Sequence, residues 1–362
     1  MVQKNVRRGL VGCLAAAALL ATTAVLPAGA AGGAVGGASE DQAAATGYLK
    51  FRDTFQGGFK SEGPDAKWKL FATGDLPNGD GVPTTSAQGL TVAPSGRNPL
   101  TGKPAFTYTT GQEHTGGAGT ADHVKWYAYA NNTASTGYPG FDAVPGQKLT
   151  CGSRMAARTY GNEQHPFGAA VTDPQSDLRL SAGAVSMVDF ESLMVFDFFV
   201  TNSKLYAFYE RLPQPGRSYA AFSYAVPVAD RWPGQKHDLS ISYDRAAGTV
   251  SYRADGREVY RASDLGLRPA DRSNLVLDLG GTEERVTPRQ LSCGIAMFAI
   301  LDGGSATGPG LVRLTDRPDT YYAPSAGAPT PQTFVDEQSL PGSRLWGQGA
   351  RLDVERVTVT SF

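Results

Sequence analysis

The 362-residue chain balances 33 Lys+Arg against 34 Asp+Glu, a net charge of −1. That argues against a nucleic-acid partner, because such proteins carry a basic excess or stripe. With 41% hydrophobic and 19% charged residues it is not a disordered polyelectrolyte, and its 44 glycines and 23 prolines, above average usages of about 7% and 5%, point to frequent turns and β-structure.

The chain opens on the pattern of an export signal. Lys4, Arg7 and Arg8 precede an apolar run from Gly9 to Leu26, and Pro27-Ala28-Gly29-Ala30 puts small residues at the −3 and −1 positions. Cleavage after Ala30 is therefore expected. The competing reading is a membrane anchor, since the run is just long enough to span. The Ala-rich composition and small-residue exit favour a cleaved signal, a secreted product and no membrane attachment afterwards. Arg7-Arg8 also raises twin-arginine export, although Val6 stands where that motif prefers Ser or Thr. Cys13 lies within the apolar run rather than after it, which argues against a lipoprotein anchor. Residues 31–47, AGGAVGGASEDQAAATG, lack bulky apolar side chains and read as a flexible leader. From 48 to 362 there is no second such linker, no internal repeat and no long amphipathic helical window, so one domain is expected.

Short β-branched and aromatic runs follow at 106–110, 124–129, 194–201 and 204–210. The clearest hairpin pairs 237–244 with 249–254 across Arg245-Ala-Ala-Gly. Leu239, Ile241 and Tyr243 alternate there with Asp238, Ser240 and Ser242, the pattern of one buried and one wet face. Gly248 can take the positive φ of a short loop, and Asp255-Gly256 makes a second turn. Alternation resumes in the last strand, 350–360. These elements predict an all-β fold, a two-sheet antiparallel sandwich. Removing Cys13 with the signal leaves Cys151 and Cys293, which most simply form one disulfide in an exported chain. The other reading is two buried free thiols.

The segment from Trp232 through His237-Asp-Leu-Ser-Ile-Ser-Tyr-Asp to Ala254-Asp-Gly-Arg-Glu-Val resembles a hairpin of concanavalin A-like jelly rolls, and Phe51-Arg-Asp-Thr-Phe with Trp68 resembles their first strand. Asp122-His-Val-Lys-Trp, His165-Pro-Phe-Gly, Tyr209-Glu-Arg-Leu-Pro and Leu345-Trp-Gly-Gln-Gly resemble stretches of a family of exported actinomycete proteins with a domain of unknown function. The resemblance implies the jelly-roll fold and no settled activity. Glycoside hydrolase family 16 is a more distant resemblance. Its Glu-x-Asp-x-Glu strand reads Met187-Val-Asp189-Phe-Glu191 here, so the resemblance carries helper and acid/base roles onto Asp189 and Glu191. Met187 stands at the nucleophile's place, and a thioether cannot form a glycosyl-enzyme intermediate.

Strand parity puts Met187, Asp189 and Glu191 on one face, expected to be the concave groove, with Val188, Phe190 and Phe196 filling the core. Two carboxyls so close can shift one another's pKa for acid/base work. Asp197 follows across a hairpin. A two-residue loop pairs it with Val188 and turns it away, whereas a three-residue loop sets it opposite Asp189. Such a cluster could also offer oxygens to Ca²⁺. The bland alternative is that these acids cap turns or sit on a solvated face. Glu210 shares a face with Tyr206 and Phe208, so it could hydrogen-bond a sugar stacked on a ring, or simply pair with an arginine such as Arg211. Trp126, Tyr129, Trp232 and Trp346 are candidate stacking platforms, or core. His114, His123, His165 and His237 have no metal-site spacing, and His123 beside Asp122 points to the opposite face on a strand. Three readings stand. They are a module binding carbohydrate or another extracellular ligand, a glycan hydrolase or lyase using Asp189 and Glu191, and a structural envelope protein.

Overall fold

The computed structural model describes residues 49–362 apart from 74, 75, 77, 110–121, 306, 307, 316–319 and 328. The expected signal (1–30), the leader (31–47), the domain start at 48 and His114 lie outside the described residues. In chain order the strands begin with β1 (Leu49–Asp53), β2 (Trp68–Leu70), β3 (Val82–Ser86), β4 (Gly89–Ala93), β5 (Gly96–Arg97) and β6 (Pro104–Ala105). Next come β7 (Val124–Ala130), β8 (Phe141–Asp142), β9 (Lys148–Tyr160), β10 (Ala182–Asp189), β11 (Met194–Val200), β12 (Lys204–Arg211) and β13 (Phe222–Asp230). Then follow β14 (His237–Asp244), β15 (Thr249–Ala254), β16 (Arg257–Ala262), β17 (Leu275–Asp278), β18 (Gln290–Leu291) and β19 (Gly294–Phe298). The last are β20 (Gly310–Val312), β21 (Phe334–Asp336) and β22 (Gly349–Ser361). Helical segments are single turns, such as Asn162–Gln164 and Pro341–Arg344.

Two eight-stranded sheets form the expected jelly-roll sandwich. The first runs β16-β15-β14-β9-β22-β4-β3, with β1 also paired to β22; the second runs β17-β13-β12-β11-β10-β19-β7-β2. Pairing within both is antiparallel. The 237–254 hairpin has the expected register, from Leu239 opposite Ala254 to Asp244 opposite Thr249, with Gly248 at φ 63° in its loop. The Asp255-Gly256 turn also takes positive φ at both residues, and the Asp255 carboxylate accepts the Asp238 amide at 2.9 Å. β14 shows the expected alternation of buried and half-buried residues.

Between the sheets Val185, Met187, Phe196, Phe198 and Tyr209 of the second meet Leu149, Met155, Ile241, Tyr252 and Leu352 of the first. Each large side chain there removes enough apolar area from water to contribute roughly 1.5–3 kcal/mol. Cys151 on β9 and Cys293 before β19 form the expected disulfide, with Cα atoms 5.5 Å apart, and so tie the two sheets together. Asp53 at the end of β1 makes a second tie. Its carboxylate accepts Trp68 Nε1 of the other sheet at 2.8 Å and the Phe55 amide at 2.9 Å.

The second sheet departs from simple alternation. Every residue of β10 and β11 is buried. The outer face of β10, β11 and β12 carries an apolar layer of its own, with Ala184, Val188, Val195, Phe199 and Phe208, and the segments bearing Leu178 and Ile300 pack over it. Beyond them Phe167, Leu180, Leu301, Leu311 and Leu314 make a small satellite core. The outer face is thus partly roofed, and the space left uncovered forms a cavity and a groove.

Candidate functional site

The cavity, of about 290 Å³, rests on the outer face of β10, β11 and β12. Its floor is Ser186, Val188, Val195, Asp197, Phe199, Phe208 and Glu210; Val124, Tyr127, Phe298 and Ile300 wall it, and Phe71, Phe190, Leu193, Leu212 and Pro213 stand at the half-exposed mouth. Asp197 is opposite Ser186 on one side and Phe208 on the other, while Glu210 is opposite Val195 and Ser223. The two acids are therefore diagonal neighbours on adjacent strands, with Cβ atoms roughly 7 Å apart.

Their surroundings decide their charge. Asp197 is 1% exposed, and burial pushes its carboxyl well above the usual carboxylate range, only partly offset by a hydrogen bond with Ser186. Its Oδ1 has no hydrogen-bond partner among the described residues. Glu210 Oε1 accepts Ser223 Oγ at 2.5 Å, and burial raises this carboxyl to about 7. His123 Nε2 lies 2.6 Å from Asp302 Oδ1, both buried. Burial alone would lower the imidazole, yet the Asp302 carboxylate outweighs it and raises His123 above its ordinary value. Burial thus favours the proton on Asp197 and brings Glu210 near its midpoint at neutral pH, while Asp302 favours the charged form of His123.

Glu210 lies on the outer face with Tyr206 and Phe208 and, among the described residues, bonds Ser223 and not an arginine. Arg211 turns the other way, to Glu284 at 2.8 Å and over the Tyr219 ring at 3.7 Å. His123 does not pair with Asp122, which takes Lys125 at 2.7 Å. The His123–Asp302 pair spans 179 residues, so no local sequence pattern announces it. Nothing local marks Ser186 and Ser223 either, and only strand register brings them to the acids.

Asp189 and Glu191 are placed differently from the sequence expectation. Met187 packs between the sheets, so β10 presents Ser186 and Val188, not Met187 and Asp189, to the cavity. Phe196 fills the inter-sheet core as expected, but Val188 and Phe190 belong to the outer face. The parity of the strand was legible and its direction was reversed, because both faces of this sheet are apolar. Asp189 ends β10 and holds the following turn. It accepts the Glu191 amide at 3.0 Å, the Ser192 amide at 3.3 Å, the Ser192 hydroxyl and Gln290 Nε2 at 2.6 Å. Burial raises its carboxyl, and these hydrogen bonds pull against the rise. Glu191 makes a two-pronged pair with Arg289, at 2.9 and 2.5 Å, which lowers its carboxyl.

The hairpin register is neither of the two expected. Asp189 pairs with Met194 across a loop of residues 190–193, and Leu193 takes φ 60° there. Asp197 consequently falls opposite Ser186, facing away from Asp189. Trp126 is fully buried between the sheets, beside Phe59, so it is core and not a ligand platform. Tyr129 lies on the outer face between Tyr127 and Phe190. Trp232 is 67% exposed in the turn after β13, and Trp346 is pinned by Nε1 to the Gly161 carbonyl at 2.8 Å. Among the described residues no group of three or more His, Cys, Asp or Glu side chains is placed to hold a metal ion.

Tyr206 lies on the same sheet face, in a groove of about 720 Å³ beside the cavity. Its hydroxyl donates to the Ser176 carbonyl at 2.9 Å, which fixes the half-buried ring. Asp173, Asp177, Arg179, Ser273, Asn274 and Ser305 line the groove. Arg179 and Asp177 are locked together at 2.9 and 2.6 Å. No described helix is long and apolar enough to cross a membrane.

Among known proteins, the chain is similar to an endo-1,3-beta-glucanase from Streptomyces sioyaensis, with a TM-score of 0.41 and 14% identity over 88% of this chain and 97% of that one. It is similar at a TM-score of 0.39 and 12% identity to the endo-beta-1,3-glucanase of Pyrococcus furiosus, over 87% of this chain and 95% of that one. Neither likeness transfers a ligand or a reaction. An uncharacterized protein of Acanthamoeba polyphaga mimivirus is 29% identical over 189 residues, which cover 36% of this chain. The chain spans only 43% of that relative's length. Residues 52–362 match the family of unknown function DUF6081, and the chain belongs to that family.

Proposed function

We propose that the protein works outside the reducing cytosol as a carbohydrate-binding β-sandwich, with its ligand lying along the Tyr206 groove. The carrying observation is a fixed aromatic ring in a groove whose walls bear carboxylate, guanidinium, hydroxyl and amide groups. A pyranose has an apolar C–H face and an equatorial fringe of hydroxyls. The ring suits the first and the polar walls suit the second. The Cys151–Cys293 bridge supports the compartment, since such cross-links persist where thiols are oxidised. The acids Asp197 and Glu210 adjoin the groove on the same sheet face and are not needed for this reading.

The test is retardation in gels containing β-1,3-glucan, cellulose, chitin or alginate. At least one polymer should slow the intact protein. Tyr206→Ala should weaken that binding about tenfold or more, and Tyr206→Phe, which keeps the ring, should retain most of it. Retardation by none of the polymers, or by all variants equally, would remove the reading. The same incubations are read for new reducing ends, whose appearance would replace a binding module with a glycan-cleaving enzyme.

A further inference from the structure

The cavity next to the groove poses a different chemical question. Two carboxyls, Asp197 and Glu210, lie on the floor of a space lined mainly by apolar side chains, with His123, Tyr127 and Ser186 as its other polar groups. Buried carboxyls are normally matched by a cation or by several hydrogen bonds. Among the described residues the lining contains no lysine or arginine. The one basic group, His123, is already matched by Asp302 at 2.6 Å. Ser223 supplies a single hydrogen bond to Glu210, and Asp197 Oδ1 is unpartnered at a residue only 1% exposed. Such an arrangement leaves the site short of one positive charge and of several donors. Burial answers that shortage by favouring the protonated form of both acids.

We propose that this cavity binds a small organic ammonium compound, a primary amine on an aromatic or short aliphatic body, with its nitrogen between the Asp197 and Glu210 carboxyls. An ammonium supplies three N–H donors, enough for both acids. The Phe199 and Phe208 rings, stacked at 4.3 Å, and Phe190 and Phe298 give the apolar body its contacts, and ring faces attract a cation. The volume of about 290 Å³ suits a ligand of single-ring size, at the low end of the usual range of about 300–1,000 Å³. Among the described residues no Arg or Lys lines the cavity to attract a carboxylate ligand instead.

The proton balance is explicit. The compound enters as R–NH₃⁺. Any protonated fraction of Glu210 releases its proton to the solvent buffer while Asp197 keeps its own and accepts an ammonium N–H through Oδ1, so one carboxylate matches one ammonium, and no bond to the ligand is made or broken. Binding therefore releases protons and strengthens with rising pH until the free amine loses its own charge. The titratable and charged groups around the two acids are His123, Asp302 and, behind them, Tyr127, Tyr252, Tyr321 and the Asp122–Lys125 pair. Glu210 itself titrates at about 7, so affinity should rise about tenfold between pH 6 and pH 8.

The experiment is isothermal titration of the intact, disulfide-bonded protein with phenethylamine, phenethyl alcohol and 3-phenylpropanoate. Buffers of different ionisation enthalpy report the proton release. The amine should bind, the alcohol should bind at least tenfold more weakly and the acid should not bind. Glu210→Gln should weaken the amine at least tenfold and flatten its pH dependence. Tyr206→Ala should leave it unchanged, which separates this site from the glycan groove. Equal binding of amine and alcohol, preference for the acid, or no proton release would each overturn the proposal. So would displacement of the amine by CaCl₂ at matched ionic strength, which would identify an inorganic cation site. Because the ligand series is run on the unaltered protein, misfolding of a variant does not protect the proposal.

Discussion

Replacing Glu210 by Gln should make the protein more stable by about 2 kcal/mol at pH 8 and less stable by about 1 kcal/mol near pH 4.5 relative to the parent. Glu210 is buried, and burial raises its carboxyl from an ordinary 4.5 to about 7. Below about pH 4.5 both folded and unfolded chains hold the proton, and the group contributes nothing to pH dependence. Between 4.5 and 7 the folded chain keeps a proton that the unfolded chain has released. The folded state then binds more protons, so stability falls as pH rises, by about 1.4 kcal/mol per pH unit. Across the window the loss reaches about 3 kcal/mol, and it is complete above pH 7. The glutamine side chain of the variant cannot ionise, and its carbonyl can still accept the Ser223 hydroxyl that Glu210 Oε1 accepts at 2.5 Å. Its amide N–H₂ faces a largely apolar cavity, an offset of about 1 kcal/mol that does not vary with pH. Asp197 and His123 are present in both chains, and the Glu210 charge raises each of them in the parent alone. Urea denaturation of parent and Glu210→Gln at half-unit steps from pH 4.5 to 8 measures the difference. Parallel stability curves would refute the reasoning, and so would a parent that gains on the variant as pH rises. The first result would mean that burial does not shift Glu210, and the second that Glu210 is ionised and paired in the folded protein.

Asp189→Ala should destabilise the fold by about 2–4 kcal/mol by urea denaturation, because it strands two amides, a hydroxyl and Gln290 at the end of β10. Glu191→Gln should cost under about 1 kcal/mol in the same assay, since its partner Arg289 is 48% exposed and water screens the pair. Reducing Cys151–Cys293, which closes a loop of sequence separation 142, should remove about 5 kcal/mol in the chain-entropy view and lower the calorimetric Tm by roughly 10 °C or more. Alkylation before reduction should modify neither cysteine. Gly281→Ala should destabilise by at least about 2 kcal/mol, because φ is 91° there and an added Cβ would lie 2.0 Å from the Tyr219 carbonyl oxygen.

Local chemistry along the chain determines the class of fold. The alternation in 237–244, the Gly248 and Asp255-Gly256 turns and the pair of thiols left after Cys13 each act over a few residues or through simple counting. Each has its expected counterpart, in the β14–β15 hairpin and the Cys151–Cys293 bridge. Parity along β10 was equally legible, since side chains on a strand must alternate. Which side of β10 faces the sandwich interior could not be read, because Met187 and Val188 are both apolar and both buried. A strand buried on two faces has no wet side to mark its direction. Tertiary packing therefore decided that Asp189 closes a turn while Asp197 and Glu210 meet on the opposite face. The same packing brought His123 to Asp302 across 179 residues and placed the indole of Trp126 in the core. The site depends on register and on what covers a sheet, and those are settled by long-range contacts between strands, not by the residue types within any one of them.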